Sequence, residues 1–287
     1  MKLLALLLLL LLPASAAPVV LVVTAGAGDY LQAAGGTLAG MIDRGAEVYV
    51  LRITNDEKDS YNLGPEETAL RVKAESEEAG RILGVKEVIS LGYRQWELAG
   101  VSFTELRDRI VWHLRHYRPQ VLFVPNPYTE HDRVLDRYYT GAAAEDAWRA
   151  AAFRNYQPAH AEAGLGPHLT PELYYYAPPV DPRRREPEST ATFVPQPKTV
   201  DIAATFAKKL RAAQALKTVN YSQAARLRDR LNATNRRLRL LDTVDEKSAG
   251  QLVEINLRGL GMTEEFRYAG VEYQIPAKYR STARTPR

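Results

Sequence analysis

Residues Val19 to Ala39 read VVLVVTAGAGDYLQAAGGTLA: an apolar run, a turn of small residues, one acid, then a helix opened by Gly35-Gly36. A short strand that is apolar on both faces must be buried on both, which suits the interior of a parallel sheet covered by helices. The turn then places Asp29 at the carboxyl end of that first strand. Open α/β sheets hold their ligands in the crevice outside the carboxyl ends of their strands.

The same alternation continues. Glu47 to Thr54, Glu87 to Leu91 and Val121 to Val124 are further runs rich in Val, Ile and Leu. Helical patterns lie between them. Gly36 to Arg44 follows the first turn. Pro65 to Leu83 opens with Glu66 and Glu67 and stops before Gly84. Ser102 to Tyr117 begins with a capping-box pair, Ser102 and Glu105. His131 to Ala152 is the fourth, rich in Ala. The fold expected is α/β: a Rossmann-like, mostly parallel sheet sandwiched by helices, with a C-terminal helix/strand extension. Residues 155 to 200 are rich in Pro and Gly and read as a lid or rim, with one strand at Leu173 to Tyr176. Asp201 to Asp242 returns to helix, its Arg-rich face turned to solvent.

The ends carry different signals. Met1 to Pro18 has Lys2, an apolar run from Leu3 to Leu12 too short to span a bilayer, and the small-x-small triplet Ala14-Ser15-Ala16. That is a signal peptide over residues 1–16, so a secreted or periplasmic protein is expected. Residues 17–270 form the folded domain and 271–287 a basic tail expected to be disordered. With no Cys there are no disulfides, and stability must come from the core. A net charge of +4 on 287 residues is too weak to argue for nucleic acid.

The chemistry-bearing residues admit more than one reading. His131 follows the strand at Val121 as Asp29 follows the first, so the two can meet at one rim and share a metal. Either can instead cap or pack at its helix start. His113 and His116, three apart on a helix, read as a half-buried face rather than a chelate. Gly26-x-Gly28 lacks the third Gly of a dinucleotide fingerprint, that position being Leu31, although such a turn can hold an anion.

Several segments together resemble the PIG-L/LmbE family of zinc-dependent de-N-acetylases, whose hallmarks are A-H-P-D-D-E before G-G-T-L-A and a later H-x-D-H. Anchored on Gly35-Gly36-Thr37-Leu38-Ala39, the first motif becomes Ala25-Gly26-Ala27-Gly28-Asp29-Tyr30, and the second becomes Tyr128-Thr129-Glu130-His131. Thr54 to Glu57, Glu75 with Ile82 to Val85, Arg118 to Val121, Tyr221 to Gln223 and Glu264 to Phe266 echo further pieces of the family. The resemblance implies zinc as cofactor, N-acetylated sugars as ligands, Asp29 and His131 as metal ligands, and Tyr128, Glu130, Asn55 and Glu57 as substrate contacts. It also exposes losses: Gly26 stands for the first ligand histidine, Gly28 for the catalytic base and Tyr128 for the first His of H-x-D-H, so no catalytic residue is assigned. With Gly26 lacking a donor atom, zinc is expected to be held weakly unless Glu130, Asp132, His160 or His168 joins. A degenerate, poorly hydrolytic sugar binder is the leading expectation. A hydrolase or hydratase with a substitute ligand and a metal-free anion- or nucleotide-binding module are the alternatives. A branch of the family lacking that base has members linked to hydration chemistry.

Overall fold

The computed structural model describes residues 17–128, 134–178 and 196–269. Five parallel strands form the body of one sheet: β1 (Val19–Thr24), β2 (Glu47–Thr54), β3 (Glu87–Tyr93), β4 (Val121–Pro125) and β5 (Glu172–Tyr176). Two antiparallel strands, β6 (Gln196–Asp201) and β7 (Thr263–Ala269), extend it beyond β5. The order is β3-β2-β1-β4-β5-β7-β6, so the chain reverses direction across the sheet between β1 and β4. Their carboxyl ends therefore border the crevice that this class of sheet uses for ligands.

The helices are α1 (Asp29–Asp43), α2 (Pro65–Leu83), α3 (Phe103–Tyr117), α4 (Leu135–Ala151), the single turn α5 (Pro158–Glu162), α6 (Phe206–Gln214), α7 (Lys217–Ala233) and α8 (Glu246–Gly259). Alternation along the strands divides the core in two. Val20, Val22, Val48, Val50 and Phe123 face α1, α2 and the C-terminal helices. Leu21, Val23, Leu51, Ile53, Leu122 and Val124 face α3 and α4. This is the α/β sandwich expected from runs apolar on both faces.

Three expectations need correction. The first helix starts at Asp29 rather than Gly36, so Gly35-Gly36 lies in its middle. A Cβ on Gly36 would come within 2.6 Å of Ile202, so the glycine is there for close approach, not for a turn. The fourth helix starts at Leu135 rather than His131. The long helix read over Asp201 to Asp242 is two helices broken at Ala215-Leu216, and Leu216 fills the core beside α1. α6 buries Phe206, Lys209, Ala212 and Ala213 against the domain, which leaves that face unavailable to a membrane surface. No helix among the described residues is long and apolar enough to cross a membrane. The expected signal peptide over residues 1–16, the cluster Arg183-Arg184-Arg185 and the expected 271–287 tail lie outside the described residues.

The C-terminal extension locks onto α1. Glu264, on β7, accepts the backbone N–H groups of Gly36 (2.9 Å) and Thr37 (2.7 Å). Lys209, on α6, donates to Glu264 at 2.8 Å and to the Gln32 carbonyl at 2.7 Å. Both side chains are almost wholly buried, 5% and 2% exposed. Buried charges survive only when paired and hydrogen-bonded, and here each has partners on α1.

Candidate functional site

A cavity of about 560 Å³ opens at the carboxyl ends of β1 and β2. Its floor is the turn after β1, where Gly26, Gly28 and Asp29 line it. The helix cap there is Gly28, with no side-chain cap, so Asp29 does not cap its own helix. Its carboxylate turns elsewhere. Oδ2 accepts the Gly26 N–H at 3.0 Å. Oδ1 accepts two hydrogen bonds from the Arg137 guanidinium, from Nε at 2.9 Å and Nη2 at 2.7 Å. Arg137 lies in the first turns of α4, 108 residues further along the chain. It is the one cationic side chain among the described residues lining the cavity.

Asp56 fills the other side of the turn. It is 2% exposed, accepts the Ala27 N–H at 3.2 Å through Oδ2, and accepts Arg52 Nη1 at 3.1 Å. Burial pushes its carboxyl up to about 8, against the pull of the buried Arg52 guanidinium. Its Oδ1 lies 2.5 Å from where a Cβ on Gly26 would stand. The space that a side chain at position 26 needs is thus already taken by an acid. Asp59 and Asp136 also line the cavity, and burial raises the carboxyl pKa of each. The carboxamides of Gln32, Gln95, Asn220, Gln223 and Asn256 complete the polar lining, with Leu216, Val219 and Leu257 on the apolar side.

At the mouth stands Trp96, 60% exposed, on the loop after β3. Its φ is +65°, a conformation that costs a bulky residue on the order of 1–3 kcal/mol. Asp136 holds that loop: Oδ2 accepts the Trp96 N–H at 2.5 Å and Oδ1 the Leu98 N–H at 3.3 Å. Lys58 adds bonds to the Gln95 carbonyl (2.7 Å) and Glu97 (2.8 Å). Neighbouring residues of α4 therefore serve the two ends of the cavity, Asp136 its mouth and Arg137 its floor.

The sequence-based assignments divide. Asp29 is in the cavity with Gly26 and Gly28. His131, Glu130 and Asp132 lie outside the described residues. Tyr128 is not among the described lining residues; its hydroxyl donates to Glu145 at 2.7 Å, beside Arg149. Asn55 and Glu57 sit next to the rim but bond one another at 2.9 Å, and Glu57 pairs with Arg94. His168 bonds the Pro119 carbonyl at 2.7 Å, ahead of β4 and so at the opposite edge of the sheet, and His160 lies on α5. Neither joins the cavity's described lining. His113 lies on the helix face its pattern suggested and is buried there, 9% exposed; burial holds its pKa down at about 4.

Sequence reasoning missed Asp56, Asp136, Arg137 and Trp96. The only available signal was their place just after strands or at a helix start, which marks a rim without saying which side chains face it.

The family model described as GlcNAc-PI de-N-acetylase matches residues 21–147, which hold β1 to β4 and the cavity floor. That stretch of the chain is thus similar to the PIG-L family. The diacetylchitobiose deacetylase of Thermococcus kodakarensis is 28% identical over 144 residues, 50% of this chain and 53% of that relative, so the match spans about half of the relative's length. Among solved structures, the N,N′-diacetylchitobiose deacetylase of Pyrococcus horikoshii, complexed with an inhibitor, is 21% identical with a TM-score of 0.66, covering 93% of this chain and 90% of that one. The 4-carboxy-2-hydroxymuconate hydratase of Pseudomonas putida is 17% identical with a TM-score of 0.55, covering 77% and 92%. At these identities the solved structures establish the fold.

PIG-L deacetylases are generally zinc-dependent, so the floor must be tested for a zinc site. Zinc needs three protein ligands with an open position. Among the described residues no group of three His, Cys, Asp or Glu side chains is placed to hold a metal. Asp29, the ligand aspartate that the resemblance implies, has both oxygens engaged, and a guanidinium already balances its charge. Position 26 has no donor atom and no room for one. The described residues do not fit a zinc ion.

Proposed function

We propose that this PIG-L-like protein binds an N-acetylated sugar in the cavity at the carboxyl ends of β1 and β2, with the Arg137 guanidinium standing where the family's metal ion is expected, and that it hydrolyses such sugars poorly or not at all. The observation that carries the reading is the double hydrogen bond from Arg137 to Asp29 Oδ1. A permanently charged, forked guanidinium supplies the cation that the carboxylate otherwise lacks. It has no exchangeable water and cannot generate hydroxide. With Gly28 in the position of the base, the proton acceptor is absent from that position too.

The same contact supports a different register for the second motif. Val134-Leu135-Asp136-Arg137 keeps the spacing of H-x-D-H, with Val and Arg at the two histidine positions, and it delivers Arg137 to Asp29. On that reading Asp136 is the retained acid. The sugar assignment is supported by the relatives and by the lining. Carboxamides both donate and accept hydrogen bonds, which suits a hydroxyl-rich neutral ligand. Among the described lining residues carboxyl groups outnumber the single cation, which disfavours phosphates and speaks against an anion-binding module.

Elemental analysis and calorimetry on the full chain test this together. We expect well under one zinc per chain after purification without added metal, and N-acetylglucosamine binding that is unchanged by a chelator. One tightly held zinc per chain, with acetate released from N-acetylglucosamine, would overturn it and point to ligands among residues 130–132.

A further inference from the structure

Charge is spread unevenly over this chain. Residues 226–242, the end of α7 and the turn that follows, hold six Arg and two Asp, a net +4 that equals the net charge of all 287 residues. Every residue from Asn232 to Arg239 is exposed. The turn is held by its own backbone. Asn235 takes a left-handed φ of +52°, and the Arg236 N–H reaches back to the Leu231 carbonyl at 2.8 Å, which closes α7. Three of the arginines are engaged within the protein. Arg226 bonds the carbonyls of Lys58 (3.2 Å) and Ser60 (3.1 Å), Arg228 pairs with Asp229 at 3.0 Å, and Arg237 pairs with Asp242 at 2.6 Å. Arg230, Arg236 and Arg239 are exposed, and none of them forms an ion pair with a described residue. Leu238 stands among them, 41% exposed, between Arg237 and Arg239.

We propose that this end of α7 is a docking surface for an anionic lipid bilayer. Guanidinium groups pair in two-pronged fashion with phosphate oxygens, and each cation near an anionic leaflet adds to the attraction. An exposed leucine alone is ordinary. Flanked by cations on an exposed turn, it fits the boundary between headgroups and acyl chains. A nucleic-acid backbone would satisfy the arginines and leave the leucine in water. A hollow of about 160 Å³ beside the turn also speaks for a surface rather than one bound phosphate: Arg228 and Arg237 line it, but so does the Asp242 carboxylate, which repels a discrete anion. The same helix reaches the cavity. Val219, Asn220 and Gln223 line it, and Gln223 lies ten residues before the helix end at Ala233, about 15 Å along a helix. A docked molecule thus holds its cavity near the headgroups. This goes beyond the sugar-binding reading and does not depend on it.

Sedimentation of the full chain with vesicles tests the surface, using phosphatidylcholine alone and an equal mixture of phosphatidylcholine and phosphatidylglycerol. The ratio of the two partition coefficients cancels any contribution from the apolar run Leu3 to Leu12. Wild type is expected to prefer the mixed vesicles, and the preference should vanish at high salt because exposed charges are screened. The triple variant Arg230→Gln, Arg236→Gln and Arg239→Gln should lose roughly 100-fold in partitioning to the mixed vesicles. It should keep its partitioning to neutral vesicles, its melting temperature and its N-acetylglucosamine affinity. Leu238→Ser should lose about 10-fold on the mixed vesicles. A wild type without the preference, or a triple variant that retains it, overturns the docking surface. So does a preference lost in Arg183→Gln, Arg184→Gln and Arg185→Gln instead. Duplex DNA bound as tightly as the mixed vesicles through the same three arginines would also overturn it, since the turn would then be a general polyanion patch. None of these outcomes touches the sugar reading, which the calorimetry above decides separately.

Discussion

Helix α1 is gripped by two acid–cation pairs, one at its start and one at its middle. At the middle, Glu264 and Lys209 come from β7 and α6, are 2% and 5% exposed, and between them take two backbone amides and one carbonyl of α1. At the start, Asp29 belongs to the helix, Arg137 comes from α4, and the pair is 10% and 22% exposed beside a cavity of about 560 Å³. The chemistry is the same, but the surroundings differ. The first pair faces only protein, so its whole effect is on folding. The second faces open space, so a ligand can meet it. Burial without a cavity separates a lock from a site more sharply than residue type does.

The largest effect expected is on the lock. Lys209→Met leaves the Glu264 carboxylate buried without its cation, and uncompensated buried charges cost about 3–5 kcal/mol. Urea unfolding should report a loss of that size. A loss below about 1 kcal/mol would break the comparison, because the middle pair would then behave like an exposed one.

The second effect falls on the floor of the site. Gly26→His installs the histidine that the family motif implies at this position, but its Cβ meets Asp56 Oδ1 at 2.5 Å. Asp56 cannot yield cheaply because Arg52 and the Ala27 N–H hold it. Overpacking of this kind costs about 1–3 kcal/mol. Calorimetric melting of Gly26→His, Asp56→Ala and the double variant should show the double less destabilised than the two singles added together. A neutral Gly26→His that also gains a zinc would mean that the floor is a metal site one substitution away.

How much of this was legible in sequence follows from the range of each interaction. The strands from Val19 to Tyr176 and the helix Pro65–Leu83 announce themselves by period and punctuation within about twenty residues. The break at Ala215-Leu216 does not, for it contains neither Gly nor Pro; Leu216 leaves the helix because the core beside Gly28 accepts it. Gly35-Gly36 was read as a helix opening because glycine usually marks a turn, whereas its cause is Ile202, distant in sequence. Asp29 was found because it follows a strand. Its partner was not, since an Arg in the first turns of a helix reads as a solvated face and the contact spans 108 residues. Motif matching placed the second histidine motif at Tyr128 to His131, where the spacing after β4 looked right. Thr129 to His131 of that motif lie outside the described residues, and the contact behind the proposed register at Val134 to Arg137 appears only in three dimensions. Trp96 gave no signal, because a positive φ has no marker when the residue is not glycine.

The smallest effect expected is also the most discriminating. Arg137→Met removes the cation from Asp29 but leaves the carboxylate at the edge of a solvent-filled cavity, still accepting the Gly26 N–H. Partly exposed pairs contribute about 0–1 kcal/mol, so its unfolding free energy should differ from wild type by no more than that, well under the Lys209→Met loss. Binding should respond in the opposite proportion. If Arg137 orients the sugar, N-acetylglucosamine affinity should fall by at least about 10-fold, the equivalent of about 1.4 kcal/mol, in a protein of nearly unchanged stability. The conservative Arg137→Lys should rescue charge but not the two-pronged contact to Asp29 Oδ1, and should therefore recover only part of the binding. A large stability loss with unchanged sugar affinity would make Asp29–Arg137 a second lock, and the difference between the two ends of α1 would vanish.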